Sequence, residues 1–155
     1  MTAFHGVFAV IDEETSDGRL LAPDSVTWRR PPLPLLAMRV GARNTGHHPS
    51  RILGRINRVW IEDNEVRGQG RIDTDISAER DDRLARAVRA VTTRLETGVA
   101  IWGGADFDDV LIDGDSGVMV FNKARLVGFT LYLGGTQDSP ASTGRTWIKE
   151  GPWPA

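Results

Sequence analysis

Apolar residues from Gly6 to Ile11 form an unbroken run suited to a buried strand, and the polar stretch Asp12-Glu13-Glu14-Thr15-Ser16-Asp17-Gly18 ends it as a turn. Pro23, Pro31, Pro32 and Pro34 predict that residues 22–36 form neither a regular helix nor a central strand. Arg51 to Ile61 and Glu65 to Ile72 flank Glu62-Asp63-Asn64 and predict a hairpin. In its second arm Val66, Gly68, Gly70 and Ile72 share one face, with Glu65, Arg67, Gln69 and Arg71 on the other.

One helix is expected, over about 78–97. Leu84, Val88, Val91 and Leu95 recur at helical spacing and make one apolar stripe. Ser77 is the candidate N-cap, and Glu79, Asp81 and Asp82 occupy the first turn, where the helix dipole favours acids. Arg94 lies near the far end and Gly98 is the expected stop. Val99–Trp102, Val110–Ile112, Val118–Phe121 and Leu126–Leu133 are strand-like, separated by turns at 113–117 and 134–135. The expected fold class is α+β: one β-rich domain over 1–155, with one principal amphipathic helix and a Trp/Pro-bearing C-terminal arm over about 145–155.

Composition narrows the chemistry. The chain has 155 residues, a formal charge of −2 and no cysteine. The absence of cysteine removes disulfides, thiolate metal sites and a cysteine nucleophile. The near-neutral charge gives no strong pull toward nucleic acid, and no apolar run reaches the roughly 18 residues of a membrane span. The first residues lack the pattern of a signal peptide, so synthesis in the cytoplasm is expected. Asp113-Gly114-Asp115 begins like a calcium loop, but Gly117 and Ala124 stand where further ligands belong, so a hairpin turn is expected. Gly68-Gln69-Gly70 lacks the third glycine and following helix of a dinucleotide site. Asp106, Asp108 and Asp109 read as a solvated acidic loop. No cofactor or metal is expected. Trp147 and Trp153 lie in the arm, where they would either anchor a partner or fold back on their own domain.

Several ordered motifs resemble the prohead (capsid maturation) protease family of tailed phages, in the form found in phages of actinobacteria. Thr15-Ser16-Asp17-Gly18-Arg19 is similar to an early Thr-x-Asp-Gly-Arg segment, and Trp28-Arg29 with Leu33-Pro34-Leu35 to a Trp-Arg-x-Leu-Pro-Leu stretch. Gly46-His47 and Gly54-Arg55-Ile56 follow at the family spacing, then Gly70-Arg71-Ile72-Asp73, the helix and Gly98-Val99. Arg125-Leu126-Val127-Gly128-Phe129-Thr130-Leu131 and Pro140-Ala141 complete the order. The resemblance implies an assemblin-like barrel surrounded by helices, usually dimerising, that cleaves scaffold within the procapsid. It places His47 at the general-base position; the adjacent His48 points to the opposite side of an extended segment.

The departure lies at the nucleophile. The family's Gly-(Val/Leu)-Ser corresponds to Gly98-Val99-Ala100, and a methyl group cannot attack a carbonyl. Thr97 is expected to face the other way. Ile101-Trp102-Gly103-Gly104 also replaces the usual run after the serine. The resulting expectation is a non-catalytic phage head protein, minor capsid or decoration, that forms homo-oligomers and contacts a major capsid protein or scaffold in the virion or procapsid. The alternative is a procapsid maturation serine protease captured as a Ser-to-Ala form.

Overall fold

The computed structural model describes residues 2–15, 18–39, 51–73, 82–114, 117–133 and 145–154. Nine strands and one helix follow in chain order: β1 Thr2–Val10, β2 Arg19–Leu21, β3 Val26–Trp28, β4 Leu33–Arg39, β5 Arg51–Glu62, β6 Glu65–Ile72, α1 Asp82–Glu96, β7 Ile101–Asp113, β8 Met119–Leu133 and β9 Trp147–Glu150. Neighbouring strands run β8-β4-β5-β6-β1-β9-β7 and return to β8, which closes a seven-stranded barrel. Six of its contacts are antiparallel and one, β4 with β8, is parallel. An odd ring cannot alternate direction all the way round, so it must contain a parallel pair. The short strands β2 and β3 add to β8 in parallel, ahead of β4 on the same side.

The expected α+β, assemblin-like class is therefore corrected. Strand accounts for 62% of the described residues against a single short helix, and the protein is a mostly-β barrel. The helix itself is where the apolar stripe put it, with Val88, Val91 and Leu95 buried against β5, β7 and β9. Its end is a Schellman motif: the Gly98 N–H bonds to the Leu95 carbonyl at 2.9 Å and the Val99 N–H to Arg94 at 3.3 Å, with Gly98 at φ +78°. What the helical pattern could not convey is that the surrounding strands pair with one another and close into a barrel. The proposed N-cap Ser77 lies outside the described residues.

The hairpin reading holds, and its turn is tighter than the sequence suggested. Glu62 pairs with Glu65, leaving Asp63 and Asn64 at φ +53° and +60°, the two left-handed positions of a type I′ turn. Arg67 ties this turn down by bonding Glu65 and Glu62 at 2.8–2.9 Å. The alternation in β6 matches, with Val66, Gly68, Gly70 and Ile72 all buried.

The proline argument fails at β4, which pairs with strands on both sides. Pro34 pairs with Arg55 of β5, but pairing with β8 begins one residue later, at Leu35 with Phe129. Pro34 thus sits where that flank is still an edge, which tolerates a missing N–H.

Phe8 and Phe129 stack at 4.7 Å between ring centroids in the middle of the barrel. Each ring faces a glycine in the wall: a Cβ on Gly68 would collide with Phe8, and one on Gly103 with Phe129. Small residues on two strands thus make room for large ones on two others, as dense packing requires.

The C-terminal arm packs on its own domain. Its Trp147–Glu150 segment is β9, inserted between β1 and β7. Truncation after Gly144 is expected to abolish cooperative unfolding, because it opens the barrel, removes the buried Ile148 and uncovers Phe4 and Ile101. A shortened chain that melts sharply near the full-length Tm would overturn this. Val91→Asp is expected to cost about 3 kcal/mol or more by burying an unpaired carboxylate. The exposed Arg89→Asp should change stability by about 0.5 kcal/mol or less, both measured by denaturant titration.

Candidate functional site: a slot in the barrel wall

β9 is shorter than the strands it joins. β1 pairs with it through Phe4–Val7, and β7 only through Ile101 and Trp102. Thr146 extends the join by one residue, its carbonyl accepting from the Gly103 N–H and its hydroxyl donating to the Gly103 carbonyl. Past that point β1 continues through Phe8–Val10 and β7 through Gly104–Phe107, and among the described residues no strand lies between them. The result is a cavity of about 500 Å³, within the range of ligand sites.

Its two sides differ. Ala105 and Phe107 turn inward against the core beside Phe8, while Asp106 takes the opposite face of β7. Leu20, Leu21, Val110, Ile112 and Phe121 make the far end apolar. Arg145, beside β9, forms an ion pair with Glu13 at the near end.

Asp106 is the chemically distinctive group. Burial raises its carboxyl above the ordinary carboxylate value, and the Thr130 hydroxyl, donating at 2.7 Å, opposes that rise. Tyr132, in the same cavity, is raised chiefly by burial and then by the Asp106 charge, with Arg19 acting against both. The acidic triplet is thus not the solvated loop the sequence suggested. All three residues lie on β7: Asp108 takes a two-pronged contact from Arg125 at 2.6 and 2.8 Å, and Asp109, at φ +49°, pairs with Lys123 at 2.8 Å. Arg125 lowers the Asp108 carboxyl, first by hydrogen bonding. The signal available in the sequence was the alternation Ala105, Phe107 against Asp106, Asp108, which reads as a strand once the acids are not taken together as a loop.

The residues singled out by the sequence are not gathered here. His47 and His48 lie outside the described residues. Ala100, at the position the resemblance would give to the nucleophile, is half-buried and immediately precedes β7. Thr97 sits in the turn after α1, not on a strand, and its hydroxyl donates to the Arg94 carbonyl. Ser25, the only serine among the described residues, is buried with no partner for its hydroxyl.

Trp147 and Trp153 form a cluster on the outer face. Trp153 lies 4.9 Å from His5 and 6.0 Å from both Trp60 and Trp147, and its indole N–H donates to the Gly68 carbonyl at 3.2 Å. Arg58 lies over Trp60, Arg67 over Trp153 and Lys149 over Trp147, at 4.6–5.0 Å. His5 is buried beneath them with Nδ1 on the Gly151 carbonyl at 2.9 Å.

Among the described residues no group of three or more His, Asp or Glu could hold a metal ion, and no helix is long and apolar enough to cross a membrane. No family model matches the chain, and neither does any curated protein or solved structure.

The raised Asp106 carboxyl has a pH consequence. The folded state holds this proton more tightly than the unfolded state, so the contribution is present at low pH and lost as pH rises through the folded-state value. Asp106→Asn, which keeps an acceptor for Thr130, is therefore expected to melt at or above the wild-type Tm at pH 7. That advantage should shrink as the pH is lowered to 4. A variant less stable at pH 7 by a margin independent of pH would show that the carboxylate is favoured in the fold.

Proposed function

We propose that this chain is a non-catalytic structural protein of a tailed-phage head, a minor capsid or decoration component that contacts the major capsid protein or scaffold. The ordered motifs that resemble prohead proteases support the setting, although the described residues hold one helix where the family resemblance implied a helical surround. The methyl at Ala100 and the buried Ser25 support the absence of peptide cleavage, because a serine mechanism requires a hydroxyl within reach of a base.

The observation that carries the binding side of the reading is the far half of the β7–β8 hairpin. Val110, Leu111, Ile112 and Met119 are 43–61% exposed, although each is a large apolar side chain. Single exposed apolar residues are ordinary on a surface. Four within one hairpin are suited to a protein contact. The lysine and aspartate beside them, Lys123 and Asp109, give the patch a polar edge.

In gradient-purified, DNA-filled heads the protein is expected at a fixed copy number by quantitative mass spectrometry. Leu111→Lys combined with Met119→Lys should lower its occupancy about tenfold or more with little change in Tm, since both side chains are exposed. Absence from mature heads would defeat the proposal. So would site-specific cleavage of coexpressed head proteins that disappears in His47→Ala.

A further inference from the structure

We propose that the outer face of β5, β6, β1 and β9 binds single-stranded nucleic acid, stacking bases on its tryptophans and holding phosphates with the cations beside them. Three observations carry this. The first is register. Residues directly opposite in paired strands point to the same face, so the four strands lay their outward side chains in rows. Trp60, Arg67, Val7 and Trp147 make one row, and Trp153 lies over it, 6.0 Å from both Trp60 and Trp147. Arg58, Gln69, His5 and Lys149 make the next, and Arg55, Arg71 and Ala3 the third. Each step from row to row along β6 is about 7 Å, so aromatic and basic groups adjoin over a surface about 14 Å on a side.

The second is charge. Arg55, Arg58, Arg71 and Lys149 are exposed, and among the described residues none of them pairs with an acid. The acids of this face stand at its margins. Glu62 and Glu65 lie beyond the tryptophans, where they hold Arg67, and Asp73 lies beyond Arg71. Glu150, next to Lys149, takes the opposite face with its cross-strand neighbour Phe4. Arg55 and Arg71 stand directly opposite each other, a like-charge pair that weakens a sheet and that a bound phosphate would offset. The net charge of −2 over the whole chain conceals this local excess of cations.

The third is the setting of the rings. Trp60, Trp147 and Trp153 are half-buried, so each keeps part of its surface in solvent. Arg58, Arg67 and Lys149 lie over them at 4.6–5.0 Å, which steadies the rings and adds flat guanidinium groups to the same platform. Flat groups beside cations match the bases and phosphates that alternate along a single strand. A duplex keeps its base faces stacked away, and an acidic peptide would use the cations but not the rings. Trp153 directs its indole N–H inward to the Gly68 carbonyl, so the cluster lies against the sheet and does not project for insertion into a membrane. The inference stands on this face alone and does not require the phage-head setting.

The test uses the full chain and a dodecamer of deoxythymidine, with affinity read by anisotropy of a labelled strand and stacking by tryptophan emission with an unlabelled one. Binding is expected to quench the tryptophans and to weaken with salt, log K falling by about 3 per tenfold rise in potassium chloride for four phosphate contacts. Arg55→Ser combined with Arg71→Ser should weaken binding about tenfold or more and make that slope shallower by about 1.4. Both side chains are exposed, so the Tm should change little. Trp60→Ala should weaken binding about fivefold or more and leave the slope as it was. If that variant does not fold, quenching of the wild type decides the stacking. Absence of binding at about 50 mM salt and 0.1 mM protein would overturn the proposal. Binding that the double arginine variant leaves unchanged, or that leaves tryptophan emission unaltered, would do so too. Equal or tighter binding of the matching duplex, of polyglutamate of the same charge or of phosphatidylserine vesicles would overturn it in favour of that class of partner.

Discussion

The barrel is closed by a strand of four residues. β1 and β7 run parallel to each other without pairing, and β9 joins them by pairing antiparallel with both. Every other contact in the ring is made by longer strands, so this join limits cooperativity. It is reinforced from outside and inside. On the inside Ile148 is fully buried against the core that receives α1. On the outside the chain beyond β9 turns back, the Gly151 N–H bonding to the Ala3 carbonyl, and Trp153 covers His5. The arm's tryptophans thus clamp a short strand that hydrogen bonding alone would hold weakly.

What the sequence made legible followed from local periodicity. The stripe Val88, Val91, Leu95 and the alternation Val66 to Ile72 each bury one face of one element, and both were readable without knowing any neighbour. The terminator Gly98 and the turn at Asp63-Asn64 were readable for the same reason, since their backbone angles are set by the residues themselves. Closure was not legible. It depends on pairing β1 with a strand 140 or more residues away, and no local pattern encodes that partner. Trp147 and Trp153 looked equally suited to a foreign surface and to their own, because the chemistry of an indole is the same in either place.

The candidate site was hidden for a related reason. No residue of the slot is unusual on its own; the slot exists because β9 stops before β1 and β7 do. Asp106 acquires its raised carboxyl from that setting, while Asp108, two residues on and facing Arg125, is shifted the other way. Two identical side chains on one strand thus differ through what lies across from them, and composition had merged them into one acidic cluster.

The slot also lies apart from position 100, where the resemblance to prohead proteases would place a nucleophile. Ala100 lies at the head of β7 and Asp106 six residues along the same strand, a separation of about 20 Å at extended-strand rise. Asp106 therefore lies far from position 100, and a hydroxyl there would not reach it. The slot's lining combines an apolar interior with one desolvated acid, Asp106. The exposed apolar hairpin, which shares Val110 and Ile112 with the slot, extends the same surface outward. Position 100, just before β7, and the slot, along the middle of that strand, are thus set apart.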